Sequence, residues 1–91
     1  MPGTKLMRLA LVDDHTLFRK GLINLVTLVC STCEVIFEAD NGTDLQRQIT
    51  KFPAPDIVLM DINMPQMDGF TTVEWLSKNY PLVKILVVSM I

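Results

Sequence analysis

Ninety-one residues with a formal net charge of -2 make one small domain at most, and a pI near 5.1 argues against nucleic-acid binding by this segment, which would want a basic patch. Apolar residues are 49% of the chain and charged residues 20%, which excludes intrinsic disorder, while a mean hydropathy of +0.36 points to apolar surface that further elements or a partner would cover. No run approaches the roughly 20 apolar residues of a membrane span, and no signal peptide opens the chain, so the expected location is cytoplasmic.

The first predicted element is a strand over residues 6–12, LMRLALV, which ends at Asp13-Asp14. Phe18, Leu22, Leu25, Val26 and Val29 then recur at the 3.6-residue period, predicting a helix over 15–29 with Asp14 as a candidate cap. Arg19 and Lys20 fall on its expected solvated face. His15 reads as a loop or helix-start residue rather than a ligand. Cys30 and Cys33 follow as CSTC. A zinc site would need four ligands, and the only other soft candidate is His15. A redox pair normally sits where a strand feeds a helix N-terminus, whereas this pair stands after a helix and before a strand. Two thiols in the junction are the expectation.

A second strand is predicted over 34–39. Leu45, Ile49 and Phe52 mark a helix over 43–52, with Thr43 or Asp44 as cap and Pro53 and Pro55 as stops. The third strand, 56–60, ends on Asp61. Phe70, Val73 and Leu76 mark a helix over 70–79, with Trp75 off that stripe, and the last strand covers 83–88, just before Ser89. Short, almost continuously apolar strands alternating with helices predict an α/β fold, a doubly wound parallel sheet buried on both faces. With the first strand central, order 2-1-3-4 places the topological switch point between the first and third strands. Asp13, Asp14 and Asp61 then share one mouth of the sheet, on strands about 4.8 Å apart. A single strand-end Asp means little, but three together repel one another, and a hard divalent cation such as Mg²⁺ would relieve them.

The stretches LALVDDHTLFRKGL and DIVLMDINMPQMDGF closely resemble the receiver domain of two-component response regulators. The resemblance covers nearly the whole chain, DINMPQMDG is its most specific part, and the DDHTLFRKGL opening is similar to the subfamily that carries a helix-turn-helix output domain. It implies a flavodoxin-like receiver fold and a phosphoacceptor, Asp61, which takes a phosphoryl group from a histidine kinase. It implies Mg²⁺ held by Asp13, Asp14, Asp61 and the backbone carbonyl of Asn63, with Ser89 as the hydroxyl that senses phosphorylation. Pro65 and Gly69 would shape the loop, Asp68 would cap the helix after it, and Met64 and Met67 would fill the core edge. DNA would be contacted through an output domain absent from this segment, and the module would not be an enzyme beyond its own phosphotransfer and weak autodephosphorylation.

The family's domain continues for a further helix, strand and helix, so the expectation for residues 1–91 is a partial receiver that stops after the fourth strand. The Lys that the resemblance implies on the next strand has no counterpart, and Lys84 lies in the fourth strand. An apolar open edge would favour a homodimer or a swapped oligomer. The alternative function is a non-catalytic dimerisation or interaction module. A phosphatase of the haloacid dehalogenase type would want a second Asp two residues after its nucleophile, where this chain has Asn63.

Overall fold

The computed structural model describes residues 6–61 and 69–88. Seven elements alternate: β1 (Met7–Val12), α1 (Thr16–Val29), β2 (Cys33–Ala39), α2 (Gly42–Ile49), β3 (Ile57–Met60), α3 (Gly69–Asn79) and β4 (Lys84–Val87). The four strands are parallel and ordered β2-β1-β3-β4, as the alternation of short apolar runs with helical stripes implies. The β1–β2 register slips between Leu9 and Ala10, where Leu9 faces Val35 but Ala10 faces Phe37. That bulge brings Phe37 and Ala39 into one core with Ala10 and Val12.

The better-filled face of the sheet joins those residues to Val58 and Met60 and covers them with Leu45 and Ile49 of α2 and Leu76 of α3. Trp75 is half-buried against this core, its ring 5.8 Å from that of Tyr80. Phe70 departs from the expected stripe and is 73% exposed, while Gly69, Thr72 and Leu76 are the buried positions of α3. At about 100° per residue, Phe70 lies roughly 120° around the helix from Leu76, whereas Gly69 and Thr72 lie within about 40° of it.

α2 is capped by Asn41, whose side chain accepts from the Asp44 N–H at 2.8 Å, and not by Thr43 or Asp44. Asp44 instead accepts from the Asp40 N–H, Gln48 and Arg47. Burial works against its charge, yet these donors hold its carboxyl below the ordinary value. The helix ends at Ile49, so Phe52 lies beyond it and stacks on Phe37 at 5.5 Å.

The other face is less covered. Leu9 and Leu11 are buried there, and a narrow crevice lined by Leu11, Leu22 and Leu59 separates α1 from the sheet. α1 was expected to bury an apolar stripe, but its one buried residue is Arg19. Leu25 and Val29 are exposed, and Phe18, Leu22 and Val26 are half-buried. Among the described residues no second helix flanks α1, so its stripe meets the sheet on one side and solvent on the other. The cysteines also depart from expectation. Cys30 caps the end of α1 and Cys33 opens β2, with Cα atoms 5.5 Å apart, inside the range a disulfide spans, and they are bonded.

Candidate metal and phosphoacceptor site

Parallel register carries the acidic residues to one pole. Val12 pairs with Met60, so the next residue on each strand, Asp13 and Asp61, leaves the sheet side by side at the switch point. The Asp61 N–H donates to the Val12 carbonyl at 3.0 Å, and the Asp13 N–H to the Ala39 carbonyl at 3.0 Å. Both carboxylates are almost fully buried, while Asp14 is 28% exposed. Burying such charges is costly unless they are paired.

His15 stands among them. Its backbone N–H donates to Asp13 Oδ1 at 2.7 Å, so Asp13 tethers the residue at the N-terminus of α1 and Asp14 does not cap it. Its Nδ1 lies 3.1 Å from Asp13 Oδ1, 3.1 Å from Asp14 Oδ1 and 3.8 Å from Asp61 Oδ2. One ligand atom from each of Asp13, Asp14, His15 and Asp61 falls within 4.8 Å of the others. Sequence reading united the three aspartates but left His15 outside; its adjacency to the acidic pair was the available signal. Asn63 and Ser89, together with Pro65 and Asp68, lie outside the described residues.

These residues fit a hard divalent cation. Asp14 Oδ1 is sealed from solvent and has no hydrogen-bond partner among the described residues, although an imidazole nitrogen is close, and such an orphaned carboxylate oxygen gains most from a cation. Ligands about 2.1 Å from Mg²⁺ stand roughly 3–4 Å apart, and the donor atoms of this cluster all lie within 4.8 Å of one another.

Arg19 supports the site from below, contrary to the solvated position expected for it. It is 7% exposed. Its Nη1 donates to the Asp13 carbonyl and, at 2.9 Å, to Asp40 Oδ1, while its Nε donates to Glu38 Oε1 at 2.9 Å. Lys20 reaches the same Glu38 carboxylate at 3.0 Å. Burial alone would lower the Arg19 pKa, but Glu38 and Asp40 more than offset it and hold the guanidinium charged. Burial would likewise raise Glu38, yet Lys20 and Arg19 keep its carboxyl below the ordinary range. The Arg19 position follows one helical turn after His15, whose carbonyl accepts from the Arg19 N–H at 2.9 Å.

Comparison with known proteins bears on the family and the fold. Residues 9–91 match the model of the response regulator receiver domain. The chain is 35% identical over 83 residues to the transcriptional regulatory protein DegU of Brevibacillus brevis, covering 91% of this chain and 34% of that protein. It is 31% identical over 84 residues to the response regulator GacA of Pseudomonas aeruginosa, covering 92% of this chain and 38% of GacA. The chain therefore spans little more than a third of these curated relatives. Among solved structures, the receiver domain of the putative response regulator NarL from Mycobacterium tuberculosis superposes with a TM-score of 0.79 at 32% identity, over 93% of this chain and 67% of that one. An RcsB–DNA complex shares the fold, with a TM-score of 0.86 at 23% identity, over 96% of this chain and 45% of that one. No helix among the described residues is long and apolar enough to cross a membrane.

Proposed function

Because the chain belongs to the response regulator receiver domain family, we propose that it is a phosphoacceptor module of a two-component pathway, taking a phosphoryl group on Asp61 from a histidine kinase. The observation that carries this is the convergence of Asp13, Asp14 and Asp61 within 4.8 Å at the carboxyl ends of two neighbouring parallel strands. A carboxylate oxygen of Asp61 forms the new bond to phosphorus while the bond to the donor histidine nitrogen breaks, and that nitrogen keeps the electron pair. Burial and the Val12 carbonyl fix Asp61 at the strand end, which reduces the motion the acceptor must lose in the transfer. Asp13, Asp14 and Asp61 would hold Mg²⁺, with Asn63 adding a backbone carbonyl. When bound, the ion neutralises charge on the phosphoryl oxygens. Arg19 grips the carbonyl of Asp13 and so holds the backbone that carries that carboxylate. The Val88 N–H donates to the Met60 carbonyl at 2.8 Å, which ties the end of the fourth strand to the strand that leads into Asp61, and Ser89, the next residue in sequence, would be the switch hydroxyl.

In the parent protein the module would switch a DNA-binding output, a reading supported by the transcriptional regulators among its relatives, and it would act in the cytoplasm. A second reading, a non-catalytic dimerisation module, draws on the exposed apolar residues Leu17, Leu28, Leu86 and Val87. One experiment separates them. Incubation with Mg²⁺ and a small phosphodonor should add one phosphoryl group by intact mass, and Asp61→Asn should abolish it. A folded wild-type chain that gains no phosphoryl group and binds no beryllofluoride supports the inert module.

A further inference from the structure

α1 is tied to the fold by specific contacts near each end, with Phe18, Leu22 and Val26 half-buried along it. Near its N-terminus Arg19 enters the polar network of Asp13, Glu38 and Asp40. At its C-terminus Cys30 is bonded to Cys33, the first residue of β2. Between them α1 has no other buried residue, and Leu25, Leu28 and Val29 of its last two turns are exposed. Besides the bond, the contacts at the helix end among the described residues include the Cys30 N–H to the Val26 carbonyl at 2.9 Å, a 3.6 Å contact between Cys30 Sγ and Thr32 Oγ1, and a long 3.4 Å contact from the Cys33 N–H to the Cys30 carbonyl. Both cysteines are half-buried.

We propose that Cys30–Cys33 is a reversible redox site whose opening by a dithiol reductant releases the C-terminal turns of α1 from β2. A thiolate of the reductant attacks one sulfur, the Cys30–Cys33 bond breaks, and a mixed disulfide forms. The second reductant thiol then resolves it. Two electrons and two protons pass to the protein, which gains two thiols, and the reductant leaves as its disulfide. The placement suits a bond that is acted upon. Disulfide oxidoreductases put the attacking thiolate at a positive helix N-terminus, whereas Cys30 stands at the negative end of α1. In the reducing compartment where we place this receiver, protein disulfides are characteristically transient and redox-sensing. A covalent tether is also most consequential where packing is thinnest, and the end of α1 is such a place.

The test uses the whole chain, equilibrated across ratios of reduced to oxidised glutathione, with dithiothreitol as the fully reducing limit. Free thiols are trapped with a maleimide and counted by intact mass, and amide exchange over residues 24–30 is followed in each form. The expected result is zero tags in the oxidised limit, two in the reduced limit, and exchange over the last two turns of α1 about tenfold faster after reduction. The double variant Cys30→Ser, Cys33→Ser should exchange like the reduced protein in both buffers. If it fails to fold, the reduced wild type still supplies the comparison. Two tags at every ratio in folded protein would overturn the proposal, as would a bond that dithiothreitol cannot open or unchanged exchange after opening. None of these readouts depends on phosphorylation of Asp61.

Discussion

Replacing Arg19 with Ala tests whether the fold and the acidic pole share one support. The side chain is 7% exposed, and four acceptors lie around it: Glu38, Asp40 and the carbonyls of Asp13 and Ala39. They do not count equally. Asp40 is 65% exposed, so water compensates it and its loss costs about 0–1 kcal/mol. Glu38 keeps Lys20, which limits its loss to about 1 kcal/mol. The buried Asp13 carbonyl loses a charged donor, worth about 1–2 kcal/mol. The sum is about 2–4 kcal/mol, or a fall in Tm of roughly 10–25 °C for a domain of this size. Urea unfolding followed by circular dichroism, with the slope unchanged, measures it. Arg19→Lys should recover part of the loss because one charged contact survives. Lys20→Ala, at an exposed position, should cost less than about 1 kcal/mol. If Arg19→Ala costs no more than Lys20→Ala, the assignment of Arg19 as the buried anchor of α1 is wrong.

Three further outcomes are expected. Leu76→Ala should destabilise by about 2–5 kcal/mol, because it empties a fully buried position, whereas Phe70→Ala at an exposed position should stay within about 0.5 kcal/mol of wild type; equal costs in urea melts would restore the Phe70 stripe. Because Glu38 titrates below its ordinary 4.5 when folded, its contribution is fully present above that value and is lost as pH falls through the lowered folded value. Unfolding midpoints should therefore drop on acidification below about pH 4.5, and more shallowly in Glu38→Gln; parallel curves would refute the pairing. Mg²⁺ at about a hundred times its Kd should stabilise the chain by about 2.7 kcal/mol in thermal melts, and this gain should vanish in Asp13→Asn; an equal shift in that variant would place the ion elsewhere.

The fold was legible because its strongest signals are local and repeated. Each strand is a short apolar run closed by a polar residue, and the helices between them enforce parallel, right-handed crossovers. Helix faces were less legible. A stripe at the 3.6-residue period says which residues could face a core, but what lies opposite decides which of them do. For α2 the stripe met the sheet, and Leu45 and Ile49 are buried. For α1 the same pattern meets a half-covered face, so Leu25 and Val29 stay in solvent. For α3 the period alone admitted Phe70, three residues before Val73, although the true face is centred on Gly69, Thr72 and Leu76.

The acidic pole shows the same division between pattern and partner. Asp13, Asp14 and Asp61 could be united from sequence because strand ends in a parallel sheet are aligned by register, which topology supplies. Arg19 could not, since its burial depends on Glu38 and Asp40, some twenty residues away on and just after β2, and an Arg beside a Lys in a helix reads as solvated surface. His15 escaped for a different reason: a lone His next to carboxylates is ambiguous until its ring nitrogen is seen within 3.1 Å of two of them. These two residues are what distance adds to spacing. One carries an imidazole into the cluster, and the other joins the backbone of its first aspartate to the second strand. The cluster is thus a consequence of the sheet's register, and the backbone of Asp13 is tied to the second strand by a helix whose one buried side chain is Arg19.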